Sequence, residues 1–222
     1  MRAPRAALRA LAMAGALLAG CASGPQPLEG GFDARLLPAA AARAGTKARG
    51  AVEVQIDAAA AAAVTTVQRL RTVGAVPVHL AMGQIVEGAA RAALAEEFEP
   101  AAPGAPAFVM LLRSVRFDVD DHVVYIIPLG PLTTGRIDLD SRLWVEVQLS
   151  DAQGRVQWSR TYDSGREPPA TGRRGVVGPF EGRLPPEQLQ AIAHEQAARL
   201  MQVAAQDVRR WVEGERLRER VL

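Results

Sequence analysis

Cysteine, lysine and aromatic residues are scarce in this chain of 222 residues, which has one Cys, one Lys (Lys47) and 5% aromatics. One cysteine excludes an internal disulfide. The basic residues are almost all Arg, which reflects compositional bias rather than chemistry. The sequence pI of 9.2 invites a nucleic-acid reading. However, three of the 26 basic residues and none of the 24 acidic ones lie in the first twenty. The remainder carries 23 basic against 24 acidic residues, one negative charge in excess. A nucleic-acid surface needs a basic patch with aromatic partners, and none of any size is present. Long apolar runs are absent as well. The run from Leu11 to Ala19 is too short to cross a bilayer of roughly 30 Å as a finished helix.

What is present begins at the N-terminus. Arg2, Arg5 and Arg9 precede that apolar run, and Leu18-Ala19-Gly20-Cys21 closes it with small residues. This is the layout of a secretory signal. The four closing residues resemble the lipobox of bacterial lipoproteins. That resemblance implies cleavage between Gly20 and Cys21, with Cys21 as the acylated (palmitate-bearing) N-terminus. It also accounts for the only thiol in an exported chain.

The expected organisation is a signal peptide over 1–20, a lipidated N-terminus and flexible tether over 21–50, a periplasmic domain over 51–213 and a charged tail over 214–222. The tether is rich in Gly, Pro and Ala and would span roughly 30 Å as a coil. Phe32, Leu36 and Leu37 are its candidates for docking on the domain.

Residues 52–56 alternate at period two and predict a strand. Asp57 followed by six alanines predicts a helix over 58–71, although Val64-Thr65-Thr66-Val67 is β-branched. Residues 76–80 read as extended. The spacing of Ile85, Ala89, Ala92 or Ala93, and Phe98 predicts a helix over 82–98, with Glu87, Arg91 and Glu97 toward water. A strand follows over 107–117, with Val109, Leu111, Val115 and Phe117 on one face. Asp118-Val119-Asp120-Asp121 then reads as a turn, and 123–127 as a second apolar strand. The clearest pattern is a hairpin. Leu143, Val145, Val147 and Leu149 alternate with polar residues, 151–154 has turn chemistry, and Val156, Trp158 and Tyr162 alternate in the return strand. Residues 164–186 hold five glycines and five prolines and read as a long irregular loop. Pro185-Pro186 opens a final helix whose apolar stripe is interrupted by Gln196 and Asp207. The predicted class is α+β: an antiparallel sheet of about four to five strands with two main helices packed on one face.

Motifs for chemistry are missing. There is no Gly-x-Ser-x-Gly, no phosphate loop and no His-Glu-x-x-His. No catalytic residue, metal ligand or cofactor is assigned. Asp118, Asp120, Asp121 and His122 could hold a metal or serve a hydrolase, but a solvated turn explains them more simply. The candidate contacts for a partner or lipid are Ile126, Ile127, Leu129 and Leu132 in the apolar stretch 123–132, and Arg173 and Arg174 in the Gly/Pro-rich loop.

Together, the lipobox, the strand–turn–helix around Leu80-Ala81-Met82-Gly83, the hairpin ending at Tyr162 and the final amphipathic helix resemble the small α+β lipoproteins of Gram-negative envelopes, of YajG type and related. The resemblance implies a non-catalytic accessory protein. It would be anchored in the membrane by its N-terminal lipid and would bind an envelope protein partner, with no role for nucleic acid. Ala22 directly after the cysteine implies the outer membrane, on its periplasmic face. The alternatives are an auxiliary lipoprotein of an intermembrane lipid or ABC-type transport system, and an envelope hydrolase using residues 118–122.

Overall fold

The computed structural model describes residues 26–28, 32, 35, 47–48, 50–67, 78–99, 107–127, 134–165, 175–177 and 186–219. For 26–28, 121–127, 134–139, 175–177, 186 and 215–219 the account is of the backbone. The elements in chain order are β1 (Gln26–Leu28), β2 (Val52–Ile56), α1 (Ala58–Ala61), β3 (Thr65–Val67), β4 (Val78–Leu80), α2 (Met82–Glu97), β5 (Phe108–Ile127), β6 (Thr134–Asp151), β7 (Val156–Asp163), β8 (Gly175–Val177) and α3 (Pro186–Glu219).

The fold is mixed α+β. Its main sheet has the order β2-β5-β6-β7, with β8 also paired to β6. The meander β5-β6-β7 is antiparallel, as the alternation predicts. The pair β2-β5 is parallel. A parallel pair needs a crossover, and the chain between them contains α2. A second sheet, β1-β4-β3, joins three short strands.

Both long helices cover one face of the main sheet. Met110, Leu112, Leu143, Val145, Val147 and Leu149 rise from it, all fully buried. Met82, Val86, Ala89 and Ala90 of α2 and Ala197, Met201, Ala204 and Ala205 of α3 are equally buried. The alanines let the two helices approach each other and the sheet closely. Each large side chain enclosed in this way contributes about 1.5–3 kcal/mol.

Four local expectations are corrected. Asp57 does not cap a helix over 58–71. Its carboxylate pairs with Arg113 at 3.0 Å, α1 stops at Ala61, and the β-branched residues take over as β3. Asp118-Val119-Asp120-Asp121 is not a turn. It lies within the 20-residue β5, with Asp118 opposite Arg142 and bonded to Arg116 at 2.9 Å. The pattern over 107–117 also changes face. A register shift between Leu112 and Ser114 puts Met110 and Leu112 inward before it and Phe117 inward after it. Finally, Glu97 is buried, and Arg209 of α3 donates to its Oε2 at 3.0 Å. In the Gly/Pro-rich loop, 175–177 form β8 on β6.

The contacts give the molecule two ends. Gln196 meets Ser141, Asp207 meets Tyr162, and Trp211 stacks edge-on against Phe108 at 5.3 Å. α3 therefore runs alongside β6 in the same direction. Phe32 bridges Gly88 and His194, while Glu97 meets Arg209, so α2 runs the same way. Both helix N-termini point toward the distal part of the β5–β6 hairpin. The turn at 151–154 lies at the opposite end. There Asp151 Oδ1 accepts hydrogen bonds from the backbone N–H groups of Gln153 and Arg155. Gly154 supplies a positive φ of 77° that other residues adopt at a cost.

Candidate binding surface

The outer face of the sheet, away from the helices, carries the most organised surface chemistry. The pleat sends alternate residues outward. On β6 these are Asp140, Arg142, Trp144, Glu146 and Gln148, with Arg116, Asp118 and Asp120 opposite on β5 and Asp163 on β7. Trp144 sits at the centre. The Arg142 guanidinium lies 4.4 Å from its ring centroid and that of Arg116 lies 5.2 Å away. Each cation gains from the negative ring face. Each is also fixed by a carboxylate: Arg116 donates to both oxygens of Asp118 (3.2 and 2.9 Å), and Arg142 Nε donates to Asp163 Oδ1 at 2.9 Å.

The electrostatics are mutual. The Arg142 hydrogen bond holds the Asp163 carboxyl at about 2, below the usual carboxylate range. The Trp144 side chain and the Gly165 N–H also bond to that carboxyl. The same Asp163 bond raises Arg142 further above its ordinary value. Two guanidiniums and two carboxylates thus frame one indole in a flat, charge-balanced patch. Such a patch suits a patterned polar protein surface rather than a polyanion. The free edge of β7 adjoins it. Among the described strands β7 pairs only with β6, and a strand at the edge of a sheet is the kind that accepts an added strand.

On the helix side, polar groups serve architecture. Gln196 Nε2 donates to the Ser141 carbonyl at 3.2 Å and to Ser141 Oγ at 2.6 Å. Ser164 Oγ accepts from the Leu143 N–H at 2.9 Å. The two residues that interrupt the α3 stripe are therefore fastenings. Gln196 ties the helix to β6, and Asp207 accepts from Tyr162 Oη at 3.0 Å and from Arg160 and Arg210. Burial pushes the Tyr162 hydroxyl up, and the Asp207 bond pushes it further.

The predicted candidate residues fall in several places. Gly20, Cys21, Leu129, Leu132, Arg173 and Arg174, with Leu36 and Leu37, lie outside the described residues. Ile126 and Ile127 end β5. Asp118 and Asp120 share the outer face, with Asp121 on the other, and His122 stands opposite Asp138 in register. The three histidines lie on separate elements. His79 of β4 meets Thr66 Oγ1 at 3.0 Å, His122 is on β5, and His194 of α3 is buried against Phe32. Among the described residues no group of three or more His, Cys, Asp or Glu side chains is arranged to hold a metal ion. No helix among the described residues is long and apolar enough to cross a membrane.

Trp144 with Arg116, Arg142 and Asp163 was not singled out from the sequence. The available signal was a Trp on the polar phase of a strictly alternating strand. Of the segment 21–50, β1 pairs with β4, Phe32 packs on the core, and Ala48 bridges to Phe98 while Lys47 Nζ donates to the Ala95 carbonyl at 2.6 Å.

No family model and no curated protein matches the chain. Among solved structures the chain is similar to a minor lipoprotein from Acinetobacter baumannii, at 14% identity and a TM-score of 0.33, over 77% of this chain and 96% of that one.

Proposed function

We propose that this protein is a non-catalytic lipoprotein of the bacterial envelope, acylated on Cys21 and held at the periplasmic face of the outer membrane. Its α+β domain binds an envelope protein through the outer sheet face and the β7 edge. The observation that carries the reading is Leu18-Ala19-Gly20-Cys21, at the end of a basic and then apolar segment and five residues before β1. Assignment to the outer membrane rests on Ala22 after the cysteine, through the resemblance to YajG-type lipoproteins.

The accessory reading has more support than its alternatives. In the hydrolase reading, residues 118–122 would have to converge. They are instead spaced along one strand, and Asp118 is already occupied by Arg116. In the lipid-transfer reading, helices and sheet would have to part, yet their facing side chains are fully buried against one another.

The test is labelling of cells with palmitate, followed by separation of the two membranes. Wild type is expected to take up label and sediment with outer membrane, and Cys21→Ser to do neither. Unchanged membrane association of Cys21→Ser contradicts the reading. For the partner, crosslinking in intact envelopes is expected to capture one reproducible protein, and capture is expected to fall several-fold in Trp144→Ala. Equal capture by that variant excludes the outer face as the interface.

A further inference from the structure

The N-terminal segment meets the domain at separate points that differ in strength. The downstream point is firm. Ala48 is buried, its N–H donates to the Glu97 carbonyl at 2.9 Å, and its carbonyl accepts from the Glu99 N–H at 3.0 Å. The upstream points are slight. β1 has three residues and lies at the edge of its sheet, paired with β4. Phe32 is half-buried. Among the described residues, Ala48 is the only member of the buried core that precedes residue 50. The core therefore closes without the upstream points. A short edge strand and one half-buried ring belong to the low-stability end of a fold, which opens before the whole unfolds.

Phe32 nevertheless has a seat shaped for it. A Cβ at Gly88 would stand 2.5 Å from the Phe32 Cβ. Turning the ring does not relieve such a clash, because Cβ is fixed to the backbone. His194 of α3 forms the neighbouring wall, with ring centroids 5.7 Å apart. Glycine inside a helix is less favourable than alanine. The notch in α2 thus weakens the helix and admits Phe32.

We infer that residues 26–32 are a releasable strap, latched by Phe32 in the Gly88 notch, with Ala48 as the fixed point from which it detaches. Release strips β4 of one neighbour and changes the length of the tether. Counted as coil, the chain between Cys21 and the domain grows from five residues up to Gln26, roughly 12 Å, to 26 residues up to Lys47, roughly 30 Å. Latched, the strap keeps the domain beside its anchor. Released, it lets the domain meet a partner farther away. The change of reach rests on the lipoprotein reading, and the latch does not.

Hydrogen exchange of the full-length acylated protein in phosphatidylethanolamine–phosphatidylglycerol vesicles tests the latch, with Gly88→Ala and Phe32→Ala as unlatching variants. In wild type, residues 26–32 are expected to exchange about tenfold or more faster than 143–149. Each variant is expected to speed 26–32 by a further factor of about ten and to leave 143–149 unchanged. Wild-type exchange at 26–32 as slow as at 143–149 overturns the proposal, because the segment then leaves only with the whole fold. Exchange at 26–32 that is equal in wild type and Phe32→Ala also overturns it, because nothing is then latched. Equal acceleration of both regions in Phe32→Ala does the same, because Phe32 then belongs to the core. Reach is read by energy transfer from a dye at Gln153→Cys to acceptor lipids, which is expected to fall in Gly88→Ala. Unchanged transfer alongside faster exchange overturns the change of reach. Palmitate incorporation is scored on the same samples. A latched strap without acylation removes the anchor and keeps the latch, and acylation without latching does the reverse.

Discussion

The two ends of this molecule are held together by different means. The end bearing the helix N-termini is closed by small residues and neutral hydrogen bonds. Gly83 sits against the carbonyls of Ala60 and Ala61, Gly88 against Phe32, and Gln196 against Ser141. The far end is closed by charge, with Glu97–Arg209–Glu213 between the helices and Arg155–Asp151 in the turn. At the far end, burial alone would raise Asp151. Hydrogen bonds from Arg155 and Gln153 outweigh it and hold the carboxyl below its ordinary value. The difference holds on the helix side only, since the outer sheet face at the first end carries its own ion pairs, Arg116–Asp118 and Arg142–Asp163.

The strongest perturbation is one that both ends share. Leu149 is fully buried, with Met110 and Trp158 as cross-strand neighbours. Leu149→Ala is expected to cost about 2–5 kcal/mol in urea unfolding and to loosen both ends. A selective effect on one end would break the picture of one core. Next is Arg209→Leu, which leaves Glu97 buried without its guanidinium and is expected to cost about 2 kcal/mol. Hydrogen exchange should speed up in the C-terminal turns of α2 and α3, not in β4. Gly83→Ala is expected to cost about 1–2 kcal/mol, because the new methyl meets backbone oxygens that cannot rotate away. Its exchange signature should be the mirror image, in β3, β4 and the start of α2.

The smallest effect concerns pH. The folded Asp163 carboxyl, at about 2, lies below its unfolded value near 3.9. Its stabilising contribution is therefore present above about pH 4 and is lost as pH falls toward 2. The group is well exposed, so the contribution is about 0.5 kcal/mol or less. Asp163→Asn should flatten the wild-type decline between pH 4 and 2 by that amount. A flatter wild type than variant would contradict the Arg142–Asp163 assignment.

The β6–β7 hairpin and the two long helices are legible in the sequence because each follows one period over many residues. The remainder is decided by distant partners. Asp118-Val119-Asp120-Asp121 has the composition of a turn. Only Arg142, two dozen residues away, and the neighbouring Arg116 make it a strand. The bulge after Leu112 inverts the face of the residues that follow it, as far as a second register shift between Tyr125 and Ile127, and no local signal marks it. Asp57 resembles a helix cap until Arg113 is brought beside it. The outer patch was missed for the same reason, since Arg116, Trp144 and Asp163 meet only through register. Cys21 is the opposite case. The role proposed for it rests on the twenty residues before it and not on the fold.

The most direct measurement of the central claim is the mass of the mature N-terminal peptide from purified membranes. The account predicts a peptide that begins at Cys21 and carries acyl chains, with none beginning upstream. A chain with a free Cys21 thiol, or one that still retains residues 1–20, contradicts it.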